Sequence, residues 1–286
     1  MISELYVNIG NIPVRMTGME SLQQIARSRA FAPFITPPCD AAADIHLDEE
    51  VEDSPYVLIH SFDFQKKASC NFGRNKNNFI FEMYAGNEVR LRMRYDWGKS
   101  CFISGCADRQ LLHFALWMAF NLTGCQRECL CVHASCVIHQ EAAVLFLGES
   151  GTGKSTQSKL WIQQFPGTEL LNDDGPFIMK WQDTYHVSGS PWSGKTPCYR
   201  NLHYPIKSII RVVRAKHNRM VPLSAIEKII ALLPSFPPAL ARQNEIQGLF
   251  LQFISDMINS IPVYKLECLP NPDAAMTAHH ILFPEP

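Results

Sequence analysis

The chain has almost no net charge, with 26 lysines and arginines against 27 aspartates and glutamates and a formal value of −1. A protein so balanced gives no reason to expect a broad nucleic-acid surface. It also lacks any uncharged apolar run of membrane-spanning length, and its first residues, MISELYVNIG, carry neither the basic nor the long apolar segment of a secretion signal. Cytoplasmic residence is therefore the expectation, with neither nucleic acid nor membrane among the partners. CxxC pairs, internal repeats and low-complexity tracts are missing as well. Ten cysteines are present, but without a secretion signal they are expected to be reduced. The densest group, Cys125, Cys129, Cys131, His133, Cys136 and His139, alternates with Leu130, Val132, Ala134 and Ile138 as a strand does. That pattern reads as small side chains packed in a core strand and not as a zinc site.

What is present suffices for a sizeable core: 286 residues, 47% of them hydrophobic, allow one large domain or two smaller ones. Residues 1–106 read as a β-rich domain without a recognisable catalytic motif. Its clearest element is a hairpin, NFIFEMY, a turn at Ala85-Gly86-Asn87-Glu88, then VRLRMRYDW. In its second strand Val89, Leu91, Met93 and Tyr95 alternate with Arg90, Arg92 and Arg94, so one face is apolar and the other reads as a solvated arginine stripe, with anion or peptide binding as the alternative. Residues 107–128 read as a connecting helix, with Asp108 as N-cap and Gly124 as its stop. From 129 to 286 the pattern becomes that of an α/β domain, α+β for the chain as a whole. Short strands alternate there with helices, and Asn271-Pro272-Asp273 opens the last helix.

The motif with chemistry in it lies at the start of this second domain. The apolar run Ala142–Leu147 leads into Gly148, Glu149, Ser150, Gly151, Thr152, Gly153, Lys154, Ser155 and Thr156, and a helical pattern follows. This is the strand, glycine-rich loop and helix of a Walker A phosphate site. Glycines let the backbone come close to a polyphosphate, so that successive N–H groups and the positive helix end surround it. Lys154 is expected to reach the β- and γ-phosphates, and Ser155 to join a Mg²⁺ shell. The stretch Gly189–Thr196, GSPWSGKT, satisfies the same spacing. Pro191 and Trp192 interrupt it, Pro197 follows, and no helical period comes after, so it reads as a loop on the substrate side.

Two further elements stand close by. Asp173 and Asp174 follow a short strand after the phosphate-loop helix, at the sheet edge where α/β folds hold ligands. One carboxylate can hold Mg²⁺, for which Asp173 is taken, and the other can accept a proton from an attacking hydroxyl. His133, on the strand before the loop, is a candidate proton shuttle or charge stabiliser.

The ordered set HAS at 133–135, GESGTGKST at 148–156 and NDD at 172–174 resembles the catalytic domain of the HPr kinase/phosphorylase family, itself similar to phosphoenolpyruvate carboxykinases. The resemblance covers roughly residues 129–285. It implies a P-loop core in which His133, Lys154, Asp173 and Asp174 form the active site, with ATP and Mg²⁺ as cofactors and a serine-type hydroxyl as acceptor. The proline-glycine-arginine signature of true HPr kinases has no counterpart here, which separates this chain from enzymes that act on HPr. A full carboxykinase is about twice this length. The resemblance therefore narrows to small HPr-kinase-like proteins acting on protein, peptide or free amino acid, with Lys195 and Arg200 facing the acceptor. A homo-oligomer is compatible with it. The competing expectation is a nucleotide-binding regulatory module without transferase activity, engaging a partner protein through its N-terminal domain.

Overall fold

The computed structural model describes residues 2–76, 78–105, 107–242 and 244–284. The chain is a mixture of helices and strands built on two nine-stranded sheets. Its backbone contacts divide it into two units, Met1–Arg127 with Ala239–Leu249, and Glu128–Pro238 with Phe250–Pro286. The division follows the helix that the linear reading set apart at 107–128, and a short segment returns to the first unit from far along the chain.

The first unit contains β1 (Glu4–Ile9), β2 (Ile12–Thr17), α1 (Glu20–Ala26), β3 (Ile35–Thr36), β4 (Ala43–Leu47), β5 (Val57–Phe64), β6 (Ala68–Asn75), β7 (Asn78–Ala85), β8 (Glu88–Asp96), β9 (Ser100–Ser104) and α2 (Arg109–Cys125). Its sheet runs β3-β1-β2-β4-β9-β8-β7-β6-β5. The expected hairpin is β7–β8, where Ala85 pairs with Glu88 around a Gly86-Asn87 turn. Along β8 Leu91, Met93 and Tyr95 are buried. The arginines between them all have carboxylates of their own unit. Arg92 meets Glu82 at 2.6 Å and Asp53 at 3.2 Å, Arg94 meets Asp96 at 3.0 Å, and Arg90 meets Glu88 at 3.2 Å. The stripe is thereby neutralised within the sheet, which leaves little charge for an external anion.

Asp108 caps α2 as its sequence suggests, its carboxylate accepting from Gln110 N at 2.8 Å and Leu111 N at 3.2 Å. Gly124 does not end the helix. It is buried in the last turn, and the amides of Gln126 and Arg127 still bond Thr123 and Gly124 carbonyls at 3.3 and 2.8 Å. With right-handed bonding continuing through Arg127, the left-handed turn falls later, at Glu128 with φ +49.

The second unit contains β10 (Cys129–Cys131), β11 (Ala134–His139), β12 (Ala142–Leu147), α3 (Lys154–Gln164), β13 (Glu169–Asn172), β14 (Phe177–Trp181), β15 (Thr184–Ser188), β16 (His203–Arg214), β17 (Arg219–Pro222), α4 (Ala225–Leu232), the greater part of α5 (Asn244–Ser260), β18 (Val263–Cys268) and α6 (Pro272–Leu282). The main path is β13-β11-β12-β16-β18-β17, and the first residues of β16 also carry β15, β14 and β10. β12, β16 and β18 are parallel neighbours, and β11 is antiparallel to β12. Alternate residues of these strands, Val144 and Phe146, Ile210 and Val212, pack with Leu160 and Trp161 of α3 and Ala274 and Ala278 of α6 in one buried cluster. Each large apolar side chain fully buried this way contributes roughly 1.5–3 kcal/mol. Small alanines let α6 approach, and Asn271 starts it by accepting from Ala274 N at 3.2 Å.

The cysteine-rich stretch read as one strand is two. Cys129 and Cys131 belong to β10, which pairs with β14, whereas Cys136 belongs to β11, which pairs with β12 and β13. Cys125 lies in α2. All four are buried, and burial pushes the thiols of Cys125 and Cys136 upward. The break between the strands has its own partners. The amides of Val132, His133 and Ala134 bond the carbonyls of Pro176, Ser235 and Asp174 at 2.9, 2.6 and 3.1 Å.

Candidate active site

Strand direction brings the separated motifs to one edge of the second sheet. β12 ends at Leu147, opposite Ala134, the first residue of β11, and Asn172 at the end of β13 lies opposite Cys136 of the same strand. The segments just beyond these ends are His133, the glycine-rich loop and Asp173-Asp174. Residues spread over forty positions of sequence therefore share one rim, because β11 runs against both its neighbours.

The loop after β12 has the backbone that its glycines permit. Gly151 is at φ +79 and Gly153, which caps α3, at φ +117. A Cβ on Gly151 would meet no atom within 4 Å among the described residues, so open space lies above it. Lys154 opens α3, and its ammonium donates to the Gly148 carbonyl at 2.8 Å and to that of Glu149 at 3.4 Å. Ser155 is half-buried and Thr156 exposed in the same first turn, while Glu149 and Ser150 are exposed on the loop. An α-helix N-terminus carries about half a positive charge, and the amides there favour an anion.

The acidic turn is built by Asn172. Its side-chain oxygen accepts from the amides of Asp174 and Gly175 at 3.0 and 2.9 Å, which bends the chain sharply after β13. The two carboxylates then differ. Asp173 is buried at 8% exposure and accepts from the Ser135 hydroxyl at 2.7 Å, and Ser135 also meets the Ser158 hydroxyl of α3 at 2.6 Å. Asp174 is half-exposed and faces His133, with 3.4 Å between carboxylate and Nε2. Burial raises the Asp174 carboxyl above the ordinary aspartate value, His133 and Lys154 partly offset this, and Asp173 adds to it. His133 is lowered by burial and by Lys154, against the pull of Asp174. Lys154 is lowered, mainly by burial, with Asp174 opposing and Arg211 adding. Because both members of the His133–Asp174 pair are half in solvent, the pair adds little stability.

His133 sits in the break between β10 and β11 and not within a strand. The backbone there switches partners, and that switch releases the side chain from the core. The second glycine-rich stretch is coil packed on the acidic turn. A Cβ on Gly194 would come within 2.7 Å of the Asp173 carbonyl, and Ser190 donates to the Gly175 carbonyl at 2.6 Å. Lys195, next to Gly194, is exposed on this loop. Arg200 is engaged elsewhere. It meets Glu169 at 2.6 Å and the Leu170 carbonyl at 3.0 Å, at the start of β13, the opposite end from the acidic turn.

Four contributors escaped the sequence reading. Ser158 and Asn172 are ordinary polar residues until the fold sets them beside Ser135 and Ser190, although Asn172 does open the NDD run. Arg211 lies 3.8 Å from Glu149, and Arg214 donates to the Gly151 carbonyl. Both arginines come from the end of β16, and nothing in its apolar run signals that this end abuts the loop.

Chemically the rim offers an anion cradle, one lysine, a buried carboxylate held by a hydroxyl, and a second carboxylate poised beside an imidazole. The oxygen donors of Ser155 and Asp173 suit a hard cation such as Mg²⁺. Among the described residues no helix is long and apolar enough to cross a membrane. No protein-family model matches the chain, and no curated protein matches it significantly.

Proposed function

We propose that this protein is an ATP-dependent, Mg²⁺-requiring phosphotransferase whose acceptor is a serine-type hydroxyl on a protein, a peptide or a free amino acid. The second unit would be a P-loop domain similar to that of HPr-kinase-like proteins. The observation that carries the reading is the meeting of Asp174, His133 and Lys154 on one sheet rim with the open, glycine-rich N-terminus of α3.

The loop amides and the helix end hold the polyphosphate, and Lys154 exchanges its carbonyl partners for phosphate oxygens. That exchange is favourable because a charged acceptor bonds an ammonium about twice as strongly as a neutral one. Ser155 and Asp173 would hold Mg²⁺, whose charge would offset that of the phosphate oxygens when it is bound. Ser135 fixes the carboxylate of Asp173, so one of its oxygens is directed before any ligand arrives. Asp174 takes the proton of the acceptor hydroxyl as that oxygen bonds to the γ-phosphorus and the bond to the β-bridging oxygen breaks, releasing ADP. His133 steadies the charge on Asp174 and passes the proton outward. Most of the rate would come from positioning and charge, as is usual for phosphoryl transfer.

The test is incubation of the purified protein with γ-labelled ATP and Mg²⁺, with free serine, serine peptides and a lysate of the source cells as acceptors. The expected result is an acid-stable phosphoester that requires Lys154 and Asp174. Absence of Mg²⁺-nucleotide binding, or unchanged labelling by Lys154→Ala, would remove the reading.

A further inference from the structure

A cavity of about 310 Å³ opens beside the second half of the glycine-rich loop, lined by Thr156, Gln157, Val212, Ala215, Leu269 and Pro270 with the loop itself. None of His133, Asp173 and Asp174 lines it. Sheet order explains the separation. The acidic turn and His133 belong to the β11–β13 side of β12, whereas the cavity lies where β16 and β18 end on the other side. A molecule anchored by its phosphates over Gly151–Lys154 thus has two directions, one toward the acidic pair and one toward this cavity.

The walls and floor differ in character. Val212, Ala215, Leu269 and Pro270 are apolar, and Leu269 is 38% exposed despite its size. Arg214 and Thr156 stand at the loop side. Gln157, only 1% exposed, lines the cavity with an unmatched amide. Its nitrogen contacts the Cys268 sulfur at 3.4 Å, and its oxygen has no hydrogen-bond partner. Turning the amide over exchanges the atoms but still leaves one of them unmatched. A buried, unpaired amide atom costs about 1–3 kcal/mol, and such groups generally have a partner in the functional state.

We infer that this cavity receives the nucleoside end of the nucleotide, a purine base held flat between Val212–Ala215 and Leu269–Pro270. A purine presents both a donor and an acceptor on one edge, so it matches Gln157 in either amide orientation after a small side-chain rotation. The space suits a bicyclic base with its sugar. The nucleotide then lies across the loop, with its reacting phosphate at the acidic rim and its base at the ends of β16 and β18. This inference rests on the nucleotide reading given above.

The experiment compares Mg²⁺-dependent binding of ATP, GTP and inorganic tripolyphosphate to the full chain by calorimetry, for the wild type, Ala215→Trp and Leu269→Ala. Ala215 lies at the cavity rim, half-buried, so the indole fills the space without entering the strand core. Wild type should bind at least one purine nucleotide about tenfold or more tightly than tripolyphosphate, an advantage typical of a desolvated base. Ala215→Trp should reduce that advantage below about threefold and leave tripolyphosphate binding unchanged, with Leu269→Ala intermediate. Equal binding of ATP, GTP and tripolyphosphate by the wild type would overturn the base pocket alone. So would an Ala215→Trp protein that keeps full purine preference. If the wild type binds none of the three, the phosphate-loop reading fails first, and the pocket with it.

Discussion

Two stretches of this chain share one spacing, Gly148–Ser155 and Gly189–Thr196, and they do opposite things with it. In the first, Gly151 and Gly153 take left-handed backbone, and space lies open above Gly151. A strand feeds that loop, and a helix opens from it at Lys154. In the second, the glycines serve proximity instead of φ. An added Cβ would run into the Arg200 carbonyl at Gly189 and come within 2.7 Å of the Asp173 carbonyl at Gly194. The first loop leaves open space above Gly151, and the second is filled by the chain's own acidic turn. The meaning of a glycine-lysine pattern therefore depends on the element it opens into: only a helix N-terminus supplies aligned amides and a dipole to an anion.

The comparison is broken most directly by exchanging its lysines. Lys154→Ala is expected to weaken Mg²⁺-ATP binding about a hundredfold or more by calorimetry, since it removes a charge-assisted contact in a partly desolvated site. Lys195→Ala should leave nucleotide affinity within about twofold and act on acceptor KM instead. Equal losses in the two variants would erase the distinction. Asp174→Asn comes next. It should lower phosphotransfer by about 10²–10⁴, the usual contribution of a positioned base, while ATP affinity stays within a few-fold. The acid limb of the rate profile should then lie above the ordinary aspartate range in the wild type, because a carboxyl raised by burial ionises late.

Gly194→Ala tests the packing side. With the Asp173 backbone so near, the substitution should cost about 1–3 kcal/mol in denaturant unfolding and reduce activity by displacing the acidic turn. Gly151→Ala, in open space but left-handed backbone, should cost about 1–2 kcal/mol from strain alone. The smallest effect concerns pH. His139 hydrogen-bonds Thr168 and His279, and its pKa is lowered from 6.5, first by burial and then by His279. Below pH 6.5 the unfolded chain therefore binds more protons than the folded one at this position. Stability from this pair is complete above that value and declines as pH falls toward the lowered folded pKa. Thermal melts from pH 7.5 to 5.5 should show the decline, and His139→Gln should flatten it.

Local patterns announced most of the second unit. The helix after the loop and the asparagine-proline start of α6 both lie where residue chemistry indicated. Elements without strong local signals were not legible. The edge strand β5 exposes Val57 and Leu58, and β17 is only four residues long. The split of 129–139 into two strands is decided by pairing with β14 on one side and β12 on the other. No periodicity can encode a change of partner.

Sequence alone determined which residues could do chemistry here: a glycine loop ahead of a helix, a lysine, two adjacent carboxylates and a histidine. Those properties come from side-chain type and short-range geometry. Tertiary structure decided how their surroundings differ. The antiparallel course of β11 puts Asp174 beside His133, and Ser135 fastens Asp173. The Asn172 turn exposes one carboxylate and buries the other. Burial and distance belong to the packed chain, and they separate the properties of two identical neighbours.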